Sequence, residues 1–286
     1  MMEAADPSCG IACCDAHNHL HDPPLQGCFD MEPGGAPLPR ISAMVVNGTH
    51  PGDWEAVGAV AGPPGTRILR AYGIHPWRVG RLPPHWEQQL RARLRAGAAS
   101  VGEIGVDHWI EPRDERLQID VFERQLALAA ELRLPPSIHC VRAWGLLLDI
   151  LRAAPPLPRG FLVHGFGGSR ETLFEILDLG GHVSFSAYAA HPRRQRAREA
   201  IRACPADRLL AETDAPDMVP PAAVCRYPLA APDGAPLHHP AEIATATAFL
   251  AETRGEPLPL LAARIEATFE ALFGRPADSH TGSISD

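Results

Sequence analysis

At 286 residues, 45% hydrophobic and 21% charged, the chain carries enough apolar side chains for a sizeable core, and its length suits one α/β barrel. No apolar run approaches the roughly 18 residues of a membrane span, and the first 20 residues carry acid rather than the basic start of a secretory signal. A formal charge of −8 leaves no basis for a broad electrostatic grip on nucleic acid, and seven cysteines, an odd number in a long chain, speak for a reducing, cytoplasmic setting rather than a disulfide framework.

The first predicted strand, GIACCDA (10–16), runs into DAHNHLHD (15–22). Alternate side chains of a strand share a face, so His17 and His19 point the same way, and two adjacent imidazoles can hold one metal ion. Taken alone, an H-x-H is more often a polar turn after a strand. Cys9, Cys13 and Cys14 lie just before it, where an apolar strand makes buried thiols a better reading than a thiolate metal cluster. A Pro- and Gly-rich loop follows at about 20–40, then strands ISAMVVN (41–47) and ILRAYGI (68–74), the latter leading into GIHPW with His75. A helical pattern near 84–96 precedes strand SVGEIGV (100–106), which carries Glu103 between glycines that would leave room at a barrel centre. The clearest helix spans 115–133, where Phe122, Leu126, Ala129 and Ala130 fall at i, i+4, i+7 and i+8.

Strand PSIHCV (136–141) holds His139, with Arg142 just beyond, and a helix is expected at 143–153. Strand GFLVHGF (160–166) holds His164 and opens into GFGGSRE, where Ser169 is a natural N-cap for a helix at 169–179. Strand GHVSFS (181–186) is followed by HPRRQRAR, whose Arg193, Arg194, Arg196 and Arg198 read as the solvated start of a helix at 192–203 or as a guide for a nucleic-acid strand. Strand RLLAET (208–213) leads to Asp214, a second inserted loop covers about 217–239, two helices follow residue 240, and a Ser/Gly tail at 275–286 is expected to be disordered.

Strands alternating with helices imply a parallel sheet, and eight such units imply a closed (β/α)8 TIM barrel, here a single domain over 1–286 with the barrel at about 10–274. The strand runs are apolar throughout, as strands covered on both faces should be. On that frame His17, His19, Glu103, His139, His164 and Asp214 all fall at C-terminal strand ends, the face where barrel enzymes build their sites. Four histidines and two carboxylates suit a pair of divalent ions such as zinc, manganese or cobalt. The chain has no lysine to carboxylate, all 26 of its basic residues being arginine, so a bridge between two ions falls to Glu103.

The ordered set DAHNH, GIHPW, VGEIGVD, LPPSIHC, HGFGGS and ETDAP resembles the TatD family of metal-dependent deoxyribonucleases, over about residues 10–274. The resemblance implies a barrel holding two divalent ions (zinc, manganese, magnesium or cobalt). One ion would sit on His17, His19, Glu103 and Asp214, and the other on Glu103, His139 and His164. It implies 3′–5′ removal of nucleotides from single-stranded or frayed DNA ends by a metal-activated water, with Asp214 also accepting the water's proton. Three positions depart from the family pattern: His21 replaces an acid or amide, His238 and His239 before Pro240 replace an Asn, and Thr268 replaces another Asn.

Around the ligands, His75 is read as a hydrogen-bond donor to the scissile phosphate or as part of a rigid turn set by Pro76. Arg142 is read as a phosphate clamp or a surface cation, and Asp107 as a carboxylate that orients a ligand histidine. The same metal site would also serve another ester or amide, such as an aminoacyl-tRNA ester or a small cyclic amide. A non-catalytic metal-binding scaffold is the remaining alternative. The protein is expected to act as a monomer in the cytoplasm, on a DNA or other phosphodiester substrate and away from membranes.

Overall fold

The computed structural model describes residues 10–30 and 37–274; Cys9, residues 31–36 of the first loop and the 275–286 tail lie outside the described residues. Eight strands, β1 (Cys13–Asn18), β2 (Ile41–Asn47), β3 (Arg67–Tyr72), β4 (Ser100–Asp107), β5 (Pro136–Val141), β6 (Phe161–Val163), β7 (Gly181–Phe185) and β8 (Leu209–Ala211), form one sheet in sequence order, each pair parallel. Helices α1 (Trp54–Ala59), α2 (Trp86–Arg95), α3 (Glu115–Leu132), α4 (Trp144–Ala153), α5 (Arg170–Asp178), α6 (Gln195–Ala203), α7 (Ile243–Arg254) and α8 (Leu258–Phe273) lie between and after them. Between β1 and β2 the described residues hold two short 3-10 turns in place of a helix. No helix among the described residues is long and apolar enough to cross a membrane.

The expected elements stand, with three corrections. β1 begins and ends later than expected, so His17 is inside it and His19 just past it. β6 and β8 are three residues each, shorter than the apolar runs 160–166 and 208–213; after β6 the chain turns through Gly165 at a φ of +55°. The six-residue α1 was not foreseen: only Trp54 and Val57 are buried in it, too little for a periodic signal. The 217–239 loop also contains a small hairpin, β9 (Leu229–Ala230) with β10 (Pro236–Leu237).

The glycines beside Glu103 do a different job from the one expected. A Cβ at Gly105 would stand 2.0 Å from the His139 carbonyl oxygen, and one at Gly102 would stand 2.8 Å from Asn47 Oδ1 and Ser137 Cβ. They do not leave room at the barrel centre; they let neighbouring strands close on one another, drawing Glu103 against His139.

The ladder stops at β8, and the barrel shuts by other bonds. Thr213 donates its N–H and its hydroxyl to Asp15, at 3.0 and 2.6 Å. The Asp214 N–H donates to the His17 carbonyl at 2.9 Å, and the His19 N–H to Ala215 at 2.8 Å. Burial pushes the Asp15 carboxyl up to about 7. First and last strands therefore meet at the residues that matter most below.

Helix α3 shows how the outer layer sets the mouth. Asp114 caps it by accepting from the Leu117 N–H at 3.0 Å, and Phe122, Leu126 and Ala129 are buried as the spacing predicts, while Ala130 is only half-buried. Two glutamines of the buried face reach beyond the helix. Gln125 accepts from the Ile74 N–H at 2.7 Å and donates to the Ile74 carbonyl at 3.1 Å. Gln118 does the same for Asp107, at 2.9 and 3.2 Å. Each amide satisfies a backbone that has run past its ladder and so fixes the residue beside it, His75 in one case and the Asp107 side chain in the other. Gln125→Leu strips both partners from buried Ile74, so thermal or urea unfolding should show a loss of about 2–4 kcal/mol. An unchanged midpoint would show that Ile74 is held otherwise.

Candidate metal centre

Five histidines and two carboxylates converge where the strands end. The Nε2 atoms of His17 and His19 stand 3.4 and 3.2 Å from Glu103 Oε2, and 3.6 and 3.5 Å from Asp214 Oδ1. The other Glu103 oxygen, Oε1, is faced by His164 Nε2 at 2.8 Å, His139 Nδ1 at 3.0 Å and His75 Nε2 at 3.2 Å. One carboxylate thus divides the ring, each oxygen serving its own set of imidazoles. Three overlapping triads have donor atoms close enough together to hold an ion: His17, His19 and Asp214; His17, Glu103 and His164; and His75, Glu103 and His139. All six residues expected as ligands are brought together, and His75 joins them.

Outward bonds sort these imidazoles. His19 Nδ1 faces the Asn47 carbonyl at 2.8 Å; a carbonyl only accepts, so the proton sits on Nδ1 and Nε2 offers its lone pair inward. His139 Nε2 likewise bonds Asp107 Oδ2 at 2.9 Å, leaving Nδ1 as the donor to the centre. His75 is the reverse. Its Nδ1 accepts from the Trp77 N–H at 3.2 Å, which places the ring proton on Nε2, and a protonated nitrogen cannot ligate. His75 is therefore a hydrogen-bond donor at the ring's edge, and burial keeps its pKa low. Asp107 does orient a candidate ligand, as the sequence suggested.

The donor set fits divalent ions. His17 Nε2 and His164 Nδ1 are buried without a hydrogen-bond partner, and His17 Nε2 stands too far from either carboxylate oxygen to bond it yet close enough to share a cation with both. The two rings stack at 3.7 Å, an arrangement that favours neutral imidazole. Burial holds the His17 pKa down to about 4. Burial also works against protonating His139, but its bonds to Asp107 and Glu103 outweigh this and lift it to about 9. Without ions, protons do part of the work of balancing two buried carboxylates.

Asp214 sits in the left-handed region, at φ 59°, where Asp and Asn are the best tolerated non-glycine residues. Its strain is held by the seam bonds already described and aims the carboxylate inward. Two residues earlier, Glu212 was missed by the sequence reading. It accepts from the Gly165 N–H at 2.7 Å and from the Ser184 hydroxyl, fixing the backbone beside His164, and burial raises its carboxyl to about 8. The signal was an acid inside the predicted strand run RLLAET, just before Asp214.

With this geometry in hand, the likeness to known proteins is specific. Residues 14–274 match the profile described as TatD related DNase. The chain belongs to the TatD family. The 3′-5′ ssDNA/RNA exonuclease TatD of Erwinia amylovora is 32% identical over 244 residues, covering 82% of this chain and 89% of that protein. YjjV of Escherichia coli, named a metal-dependent hydrolase, is 31% identical over 269 residues, covering 92% of this chain and 98% of its own. The crystal structure of YjjV, a TatD homolog, superposes with a TM-score of 0.80 at 28% identity, over 92% of this chain and 98% of that one. As a TatD-family member the chain is a hydrolase acting on ester bonds.

The places where this TatD protein departs from the family pattern have structural uses. His239 accepts from the Ala241 N–H at 2.9 Å and caps the turn that follows, while its Nε2 meets the Cys28 carbonyl at 3.0 Å. His238 Nδ1 meets the Asp217 carbonyl at 2.9 Å, and Thr268 donates to Arg264 in its own helix. His21 is buried between Asp22 and Asp53, at 3.4 and 3.6 Å. Ser169 caps α5 as expected, accepting from the Thr172 N–H. In the arginine-rich stretch, Arg198 donates to the Ala189 and His191 carbonyls, and Arg194 lies 4.4 Å over the Tyr188 ring. Arg193, Arg194 and Arg196 line a cavity of about 550 Å³ with Tyr188 and Gly165. Arg142 holds no carboxylate among the described residues; its guanidinium lies 4.1 Å over the Trp109 ring.

Proposed function

We propose that this TatD protein is a 3′–5′ exonuclease that uses two divalent ions to trim single-stranded or frayed nucleic-acid ends. The observation that carries this reading is the division of Glu103, whose two oxygens face two separate sets of imidazoles at 2.8–3.4 Å. His17, His19, Glu103 and Asp214 would hold one ion, and Glu103, His139 and His164 the other. When bound, such ions make a water acidic enough to attack near neutral pH and neutralise charge growing on the phosphoryl group. Asp214 accepts the proton of the attacking water, a role that needs no additional base. His75 keeps its Nε2 proton and offers one hydrogen bond beside Glu103. Seams and clamps hold these groups before substrate arrives, which is where much of the rate advantage of a preorganised polar site originates.

Depth favours ends over duplex interiors. Glu103 is 3% exposed and His17 is fully buried, so a scissile phosphate must descend into the barrel mouth, and a strand end can do so where a continuous duplex is too wide. The name of the Erwinia relative supports the 3′–5′ direction and single-stranded substrates. The name of YjjV, a relative covering more of this chain, supports only metal-dependent hydrolysis, and the ring would serve another ester equally well.

End-labelled single-stranded DNA incubated with Mg²⁺ or Mn²⁺ should shorten progressively from the 3′ end, and chelator should stop it. Cutting of closed circular duplex at an equal rate would sink the end-directed reading. Crystals soaked in Mn²⁺ or Zn²⁺ should show two anomalous peaks per chain flanking Glu103; one peak or none would remove the second ion from the mechanism.

A further inference from the structure

Four large hydrophobic side chains are exposed among the described residues, and two of them, Trp77 at 51% and Trp109 at 59%, stand at the mouth beside the metal centre. Exposed indoles at a rim cost solvation and need a reason. Both are held, not loose. Asp107 accepts from the Trp77 indole N–H at 2.7 Å and from the Trp109 backbone N–H, with the carboxylate that also orients His139. The Trp77 ring lies 5.1 Å from the His75 ring and 6.4 Å from the His139 ring, centre to centre. Trp109 is covered on one side by the Arg142 guanidinium, and Arg142 sits at φ 57°, a conformation that L side chains seldom adopt. The Trp77 indole and the Trp109 backbone are thus fixed to the carboxylate that also bonds a candidate metal ligand, and Arg142 covers the Trp109 ring.

We propose that Trp77, Trp109 and Arg142 form a stacking platform for the bases of a single-stranded nucleic acid whose terminal phosphodiester lies at the metal centre. The proposal rests on the nuclease reading above and deepens it, because a phosphate alone needs no aromatic face whereas every base has one. Anchoring of the Trp77 indole by Asp107 removes freedom that ring would otherwise lose on stacking, so little binding energy goes into ordering it. Trp77, nearest His75 and His139, takes the base closest to the scissile bond; Trp109 with its guanidinium cover takes a neighbour. Arg142 adds positive charge to the platform in a chain of net charge −8. Stacking tolerates any base, so the platform selects single strands without selecting sequence.

The test compares a hexathymidylate with a strand of the same length and charge whose positions are abasic. Binding to chelator-treated protein is read by fluorescence anisotropy of a 5′-labelled strand, and 3′ shortening is read separately with Mg²⁺. The wild type should bind the base-bearing strand about 10-fold more tightly than the abasic one, the scale of losing a stacked base. Trp77→Ala/Trp109→Ala should lose most of that preference and raise KM for shortening far more than it lowers kcat. Trp109→Ala alone removes only an exposed ring and guards against misfolding; it should lose part of the preference with an unchanged melting temperature. Equal binding of both strands by the wild type, or full preference in the double variant, overturns the platform. Shortening of DNA with no preference for bases would remove the platform and leave the nuclease reading intact, whereas absence of any shortening by the wild type removes both.

Discussion

Glu103→Gln should leave the protein unable to hold two ions and reduce turnover by at least about 10²-fold. The amide keeps the size of the side chain but replaces one oxygen with an NH2 that points protons at the atoms it formerly attracted. Either orientation fails. If the NH2 takes the Oε1 place it meets His164, His139 and His75; if it takes the Oε2 place it meets His17 and His19. Residues that merely support a ligand are worth 10–100-fold in metal affinity or activity; in the proposed mechanism Glu103 would serve two ions directly, so the loss should exceed that scale. Metal analysis after desalting, alongside turnover on labelled single-stranded DNA, gives both readings. A variant that retains two ions and normal rates would show that Glu103 bridges nothing.

Asp214→Asn is the second large effect, and it separates holding from reacting. Asn is at home in the left-handed backbone at φ 59°, so the seam should survive while the charge and the proton acceptor are lost. Turnover should fall about 10²-fold or more, the scale for a positioned general base. Ions on Glu103, His139 and His164 should stay, and substrate affinity should change much less than turnover, the pattern of a lost transition-state interaction. Asp107→Asn is the matched comparison: it touches His139 and Trp77 at 2.9 and 2.7 Å but not Asp214, and should loosen metal by roughly 10–100-fold while costing less turnover. A larger turnover loss from Asp107 would move the base to the wrong side of the ring.

The six residues expected as ligands were legible as a cluster because each is a chemically distinctive residue in or just after an apolar run, and the strands of a parallel barrel lead to one face, though Glu103 lies mid-strand. The elements were legible for the same reason, since burial on both faces makes β-runs continuous. What stayed hidden depends on contacts between distant segments. Nothing local in GIHPW says that Gln125, 51 residues away along the chain, clamps Ile74. Gly102 and Gly105 suggested space when read alone; only neighbouring strands reveal that they grant contact. His238 and His239, which depart from the family pattern, turned inward to backbone carbonyls and a cap.

Asp15, His17 and His19 belong to the first strand and the turn after it, while Thr213, Asp214 and Ala215 follow the last, and the bonds among them close the barrel. During synthesis the leading histidines leave the ribosome long before their partners exist. A nascent chain shorter than about 214 residues lacks the Asp214 side of the ring, so the hydrolase cannot assemble its proposed centre until Asp214 has been made. Completion of the seam and competence to cut become the same event, and ions that span first and last strands would then act as the rivet that keeps the finished barrel from unzipping.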